Sequence, residues 1–519
     1  MAGNDATTRS TSVNRRDALK GAAGAAAAGV AVGVRETARA AEAAGPTRAA
    51  GQPQNPYGGV PGGGLTLPPY YRPTPSVANA NVYLPGSEEL SPGEMRISFL
   101  GSAPGQAVSK DQACTCILVE LGNGKRFFFD FGPGCMRNIV AMRMPIQLVN
   151  DIFLTHLHVD HYGDLPYLYA FAPWMGRWKP LRVHGPSGRT PRDGTKHMID
   201  HMREMAYWHT DSFSSAPVGD GYEVEVNEFD FRDDNGVCYD RDGVVIRHWR
   251  RAHTKDGAVA YRLDWNGLSF VWTGDGRADK LTAKYAQGVD VFVTELQLDI
   301  ARLAQVTMGI PPELLNVTID GAHPVHYATA YLIKEVNPRL AMVTHMSFDE
   351  PLIPETLAAI RQQWHGLFAF GAPDIVVVNT TKEAIWTRKA AFPDHSAMAR
   401  LSPGQAAELY GLGPGQTDVS FPTPSRTLYD IQEQFVRDQE YDPKLYYPEG
   451  LYRKPDPVFP PDLKISLTDM AAANLLQKYP TAKSPLDALA MARTDMENKA
   501  QAGKMELDAM EAMLRRQEK

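Results

Sequence analysis

The run Thr155-His156-Leu157-His158-Val159-Asp160-His161 constrains this chain more than any other feature. It follows a short apolar segment, Asp151-Ile152-Phe153-Leu154, that reads as a buried strand. Three imidazoles and a carboxylate within six residues make poor core packing, because buried polar groups need partners. A solvated loop has no need of them. They are good ligands for metal: imidazole suits zinc, and a carboxylate helps to hold a second divalent cation. The run leaves a strand and turns, so successive side chains point different ways. One ion cannot comfortably take every group, and two adjacent ions, each using a subset, are expected.

Length and charge narrow the setting. The 519 residues leave room for more than one domain and a sizeable core. The formal charge of −7 offers no general basic surface for nucleic acid, so no nucleic-acid partner is expected. Ser12-Val13-Asn14-Arg15-Arg16 precedes a weakly apolar Ala/Gly stretch, and Ala38-Arg39-Ala40 follows as a small-residue cleavage site. Residues 1–40 resemble a twin-arginine signal peptide, which predicts export machinery as a partner and a periplasmic or secreted protein. The stretch is too short and too weakly apolar for a stable membrane span. Four cysteines do not make a disulfide framework. Cys114 and Cys116 share one strand face and cannot easily bond each other. Cys135 or Cys238 is open as a partner for one of them, and free buried thiols are the alternative.

Residues 41–92, rich in Pro and Gly, read as a linker or a strap lying on the domain. From Met95 the pattern becomes strands. Asn123-Gly124 and Asn266-Gly267 each sit between strand patterns and predict hairpins. Val289–Thr294, Leu340–Thr344 and a segment around Val376–Val378 are further strands. Helices are expected at Lys196–Trp208, Ala328–Val336 and Pro354–Trp364, which together give a layered α/β domain. Residues 389–519 form a C-terminal extension, irregular at first. Ser484-Pro485 then caps a helix whose apolar stripe, from Leu489 to about Leu514, reads as a docking face; a dimerising coiled coil, and so a homodimer, stays open.

Further polar residues end apolar segments in order: Asp130 after the first hairpin, His253 before the second, Asp275 in Thr273-Gly274-Asp275-Gly276, and His345 in Val343-Thr344-His345. This ordered series, from about Gly93 to Trp386, resembles the metallo-β-lactamase superfamily. The resemblance implies a four-layer αβ/βα sandwich over residues 93–388. It assigns His156, His158 and His253 to one metal and Asp160, His161 and His345 to the other. Asp275 bridges the two, and Asp130 braces the site from behind. Phe99-Leu100-Gly101-Ser102, His184-Gly185-Pro186, Thr294-Glu295 and His323 narrow the likeness to the ribonuclease Z-like branch, which includes arylsulfatases and small phosphodiesterases. There a Glu–His pair protonates the leaving group, which implies Glu295 and His323 as catalytic groups beside Asp160; His326 is a rival for His323.

The resemblance thus implies a metal-dependent hydrolase holding two divalent ions, zinc first among them. A hydroxide formed between the ions attacks a small phosphodiester or sulfate ester. A lactone or amide hydrolase and a non-catalytic metal-binding module of the same fold are the alternatives. His197 and His201, one helical turn apart, read as a pocket wall or lid rather than another metal site. Trp174, Trp178 and Trp208 are candidates for the pocket lining or for the core.

Overall fold

The structure is a computed structural model. It describes most of residues 82–413, apart from 87, 106–108, 214–217, 299, 305–312, 314–318, 320, 347–352, 374, 392–398 and 400. Farther on it describes 416, 418–420, 464–466, 479–494 and a few isolated positions. The export signal, most of the Pro/Gly-rich stretch and the C-terminal stripe beyond residue 494 lie outside the described residues.

Two twisted sheets carry the fold. The first begins with β1 (Val82–Tyr83), β2 (Met95–Gly101), β3 (Cys116–Leu121), β4 (Arg126–Phe129), β5 (Asp151–Phe153), β6 (Leu181–Pro186) and β7 (Val224–Phe229). The chain then builds the second from β8 (Gly236–Arg241), β9 (Val244–Arg250), β10 (Val259–Trp265), β11 (Leu268–Trp272), β12 (Val291–Glu295), β13 (Leu340–Thr344) and β14 (Leu367–Phe370). It returns to the first with β15 (Val376–Thr380) and β16 (Ile385–Ala390), giving the order β1-β16-β15-β2-β3-β4-β5-β6-β7. The second sheet runs β14-β13-β12-β11-β10-β9-β8. Val82–Tyr83, from the stretch read as a strap, adds a parallel edge strand to β16.

Side-chain alternation along the strands creates the layers. On β2 to β5, Ile97, Phe99, Ile117, Val119, Phe127, Phe129 and Phe153 point one way, into an aromatic-rich core shared with Val259, Tyr261, Phe270 and Trp272 of the second sheet. The alternate residues Leu100, Leu118, Phe128 and Ile152 pack against helix residues such as Ile139, Leu165 and Leu168. Val271, Phe292, Ala341 and Val343 cover the far face of the second sheet against Ala330 and Ile333 of the helix His326–Val336. Three cores between four layers give the αβ/βα sandwich. Each fully buried Leu, Val or Phe contributes about 1.5–3 kcal/mol.

Both Asn-Gly turns join paired strands, β3 to β4 and β10 to β11, with Asn266 and Gly267 at positive φ. The helix expected at Lys196–Trp208 is two pieces, Thr195–Met205 and Tyr207–Ser212. Cys116 and Cys135 form a disulfide, while Cys114 and Cys238 are free and buried. Ser484 caps its helix by accepting the Asp487 N–H. Of the expected stripe, Leu489 is exposed and Ala492 half-buried, and nearly all the rest lies outside the described residues.

Candidate metal centre

Parallel strands put their carboxyl ends on one edge, and ligands gather at such an edge in open α/β sheets. β4 and β5 run parallel in one sheet, and β11, β12 and β13 run parallel in the other. Asp130 follows β4, the His156–His161 run follows β5, Asp275 follows β11, Glu295 ends β12 and His345 follows β13. His253 comes from the connection between β9 and β10. Stacking the sheets places these ends together.

Among the described residues three overlapping donor groups result, and all contain or adjoin Asp275; one of them joins Asp275 to Glu295, His323 and His345. His156, His158, His253 and Asp275 offer donor atoms all within 4.8 Å of one another, as do Asp160, His161 and His345. Asp275 Oδ2 lies 3.8 Å from His156 Nε2, 3.9 Å from His253 Nε2 and 3.4 Å from His345 Nε2. Its Oδ1 lies 3.4 Å from His161 Nε2. His158 Nδ1 is 3.0 Å from His156 Nε2 and 3.2 Å from His253 Nε2. His345 Nε2 is 3.3 Å from Asp160 Oδ2, whose carboxylate also accepts the Gly105 N–H.

The backbone is specialised at this edge. Gly274 takes a positive φ, and a Cβ there would come within 2.7 Å of Thr155 Cβ. Asp130 (φ 60°) and His345 (φ 49°) hold the left-handed conformation without being glycine. Such outliers persist where surrounding bonds over-determine them. Asp130 accepts from the Thr155 N–H at 2.8 Å, from the Thr155 hydroxyl and from the Trp272 indole N–H at 2.8 Å, and lies 2.9 Å from His161 Nδ1. The carboxylate therefore braces His161 and turns its Nε2 toward the centre.

Glu295 is fully buried. It accepts the Gly276 N–H at 2.6 Å and lies 2.6 Å from His323 Nδ1. His323, not His326, reaches the cluster; His326 opens the next helix and meets Tyr327. Arg251, also buried, donates to the Gly276 carbonyl at 2.6 Å and to Asp279 and Thr282. The backbone of Gly276 thus ties the turn of Asp275 to both Glu295 and Arg251.

Electrostatics fit a cation. Burial opposes charge on His161, yet the carboxylates of Asp275 and Asp130 hold its pKa well above the ordinary range. His345 is likewise raised to about 10, against its burial, by Asp275 and Asp160. Burial would lift Asp275, but His345 and His161 hold it well below the usual carboxylate range. His156 is pushed down, first by burial and then by His161. Without a cation, protons on His161 and His345 offset much of the charge on Asp275. His161 Nε2 and Asp275 Oδ1 are buried, face each other and have no hydrogen-bond partner. Bound metal would replace those protons and satisfy both atoms. The donor set of imidazoles and carboxylates suits such an ion.

Several parts of the site carry no signal in the sequence. Thr155 and Trp272 hold Asp130, and no motif marks them. His197 lines a cavity beside His156, His158 and His253. His197 and His201 are not among the metal-competent groups of the described residues. Trp174 and Trp208 are exposed and Trp178 packs on Tyr410, and none of the three lines that cavity.

Sequence comparison gives relatives of one kind. A ribonuclease Z of Mycobacterium marinum is 27% identical over 273 residues, covering 50% of this chain and 87% of the relative. A ribonuclease Z of Methanococcus maripaludis is 36% identical over 114 residues, 22% of this chain, and the match spans only 34% of that relative's length. These relatives make the chain similar to the ribonuclease Z-like branch of the metallo-β-lactamase superfamily. The family described as anti-Pycsar protein Apyc1 matches residues 95–184. Among solved structures, the metallo-β-lactamase fold protein YhfI from Bacillus subtilis aligns with a TM-score of 0.41 at 14% identity, over 57% of this chain and 99% of that one.

Proposed function

We propose that this protein is an exported metal-dependent hydrolase that cleaves a small phosphodiester or sulfate ester with two divalent ions, zinc first among them. One observation carries the reading: two donor clusters meet at a single carboxylate, Asp275, beside the Glu295–His323 pair. His156, His158 and His253 would hold one ion, Asp160, His161 and His345 the other, and Asp275 both. When bound, the ions polarise the ester and lower the pKa of water toward neutrality.

The chain's own groups do the rest. Asp130 fixes the tautomer and aim of His161. Glu295 fixes His323 through Nδ1, which leaves Nε2 to give a proton to the departing oxygen. Glu295 also favours the protonated form of His323: burial opposes the charge, but the adjacent carboxylate raises the pKa above the ordinary imidazole value. A non-catalytic module would have no use for that pair.

In this reading residues 1–40 are a twin-arginine signal, 93–388 the catalytic domain and 389–519 an extension of unassigned role. The Cys116–Cys135 disulfide supports an oxidising, extracytoplasmic setting. Among the described residues no helix is long and apolar enough to cross a membrane.

Relatives named ribonuclease Z weigh against excluding nucleic acid, so that exclusion is withdrawn and RNA becomes a second reading. The net charge of −7 favours a small molecule. The deciding experiment is elemental analysis of the purified mature protein, followed by a panel of chromogenic phosphodiester, sulfate, lactone and β-lactam substrates and a short RNA. Two equivalents of metal with phosphodiester or sulfate turnover is the expected result. Metal-free active protein, or turnover of RNA alone, defeats the proposal.

A further inference from the structure

A cavity of about 360 Å³ opens beside the metal centre, with His156, His158 and His253 in its wall. A group filling it would lie against those three imidazoles. Its size is at the low end for small-molecule sites. Leu157, Pro186 and Met198 supply an apolar wall for an organic group.

Charge on the rim is unbalanced. Asp193 is engaged by Lys255 and by the Thr190 hydroxyl at 2.8 Å, and Asp256 pairs with Arg189 at 3.6 Å. Both carboxylates on the rim are thereby neutralised, and the two ion pairs join the segment around Pro191–Asp193 to the loop that carries His253. Arg192 lines the same cavity and has no ion-pair partner among the described residues. It sits in a short 3-10 turn with proline at its first position and a capping box from Thr190 and Asp193, so its backbone is well held. A guanidinium presents a planar fork that matches phosphate or carboxylate.

Resting on the hydrolase reading above, we infer that the substrate is a small phosphodiester carrying a second anionic group, a phosphate or a carboxylate, and that Arg192 in this cavity binds it. The organic part lies along Leu157 and Met198. The second anion reaches the rim while the ester lies at the metal centre.

The test uses matched pairs of ligands on metal-loaded mature protein. Turnover is compared for thymidine 5′-(p-nitrophenyl phosphate) and the same ester bearing a 3′-phosphate. Binding is compared by calorimetry for thymidine 5′-monophosphate and thymidine 3′,5′-bisphosphate. Wild type should favour the doubly anionic member of each pair by about tenfold to a hundredfold, the worth of one charge-assisted hydrogen bond. Arg192→Gln should bring both ratios toward one, and Arg192→Lys should restore part of the preference. If turnover is nil for both esters while the binding ratio still depends on Arg192, the hydrolase reading falls and the anion pocket stands. A wild-type ratio near one, or a ratio unchanged in Arg192→Gln, overturns the inference. So does an oligoribonucleotide that outcompetes the bisphosphate in an Arg192-dependent way.

Discussion

At the scale of single residues, Asp275 and His323 carry the sharpest expectations. Asp275 is 2% exposed and borders both donor groups. Asp275→Ala should therefore drop metal content at both positions, from two equivalents to below one by mass spectrometry. Loss of only one equivalent would show that the carboxylate is not shared. His323 is tied to Glu295, with its Nδ1 3.8 Å from Asp275 Oδ2. His323→Ala should retain metal yet slow an alkyl ester by about 10²–10⁴-fold, the usual worth of a general acid. A nitrophenyl ester, whose leaving group departs as a stable anion, should lose far less. His326→Ala is the control, because its ring packs on Tyr327 and lies outside the donor groups. A leaving-group-dependent loss in His326→Ala but not in His323→Ala would move the role three residues along the chain.

At the scale of elements, a buried histidine next to the edge of the second sheet should make stability depend on pH. His248 on β9 is 1% exposed and stacks on Phe229 with ring centroids 3.9 Å apart. Burial lowers its pKa to about 4, outweighing the opposing pull of Asp233, Asp234 and Asp230. Between that value and the ordinary imidazole value of about 6.5, only the unfolded chain takes up the proton. Stability should therefore fall as pH drops through 6.5 and level off below about 4, a loss on the order of 3 kcal/mol from this group. Urea midpoints at pH 7.5, 5.5 and 4.5 would show it as a steeper decline in wild type than in His248→Gln. Parallel declines would assign the acid sensitivity elsewhere. The same scale explains the metal centre. Strands β11, β12 and β13 are short, apolar and fully buried. Charged residues and imidazoles are excluded from their interiors and appear where each strand ends.

At the scale of the whole molecule, the disulfide and the export signal make one joint expectation. Cys116 lies on β3 and Cys135 opens the helix Cys135–Ala141, at a sequence separation of 19. Closing a loop of that size stabilises by about 3 kcal/mol through the unfolded chain. Cys135→Ala should lower the urea midpoint accordingly, and a reductant should have no further effect on that variant. Wild type insensitive to reductant would mean the bond contributes nothing. Arg15 and Arg16 stand where a twin-arginine pair would be read. Replacing both with lysine should leave precursor in the cytoplasm, as cell fractionation would show. Normal processing of the double variant would end the export proposal.

Short-range physics made much of this molecule legible in its sequence. Alternation of apolar residues, Asn-Gly turns and polar residues at strand ends are local signals, and β3, β10, β11 and β13 lie within a residue or so of where those signals put them. The His156–His161 run announced ligands because no packing role suits so many imidazoles in so few residues. Neighbourhood was another matter. His158 meets His253 across 95 residues of chain, and Asp160 meets His345 across 185. Likeness to a family could order such pairs, but periodicity and spacing could not. Only the pairing order of the strands and the stacking of two sheets bring those ends to one edge. Tertiary structure likewise set His323 beside the Glu295 carboxylate and His326 at the start of a helix. It paired Cys116 with Cys135 rather than Cys238, and it left Arg192 without an ion-pair partner among the described residues, on a rim whose carboxylates are already taken. Each of these depends on distances between segments far apart in the chain, which residue order alone does not encode.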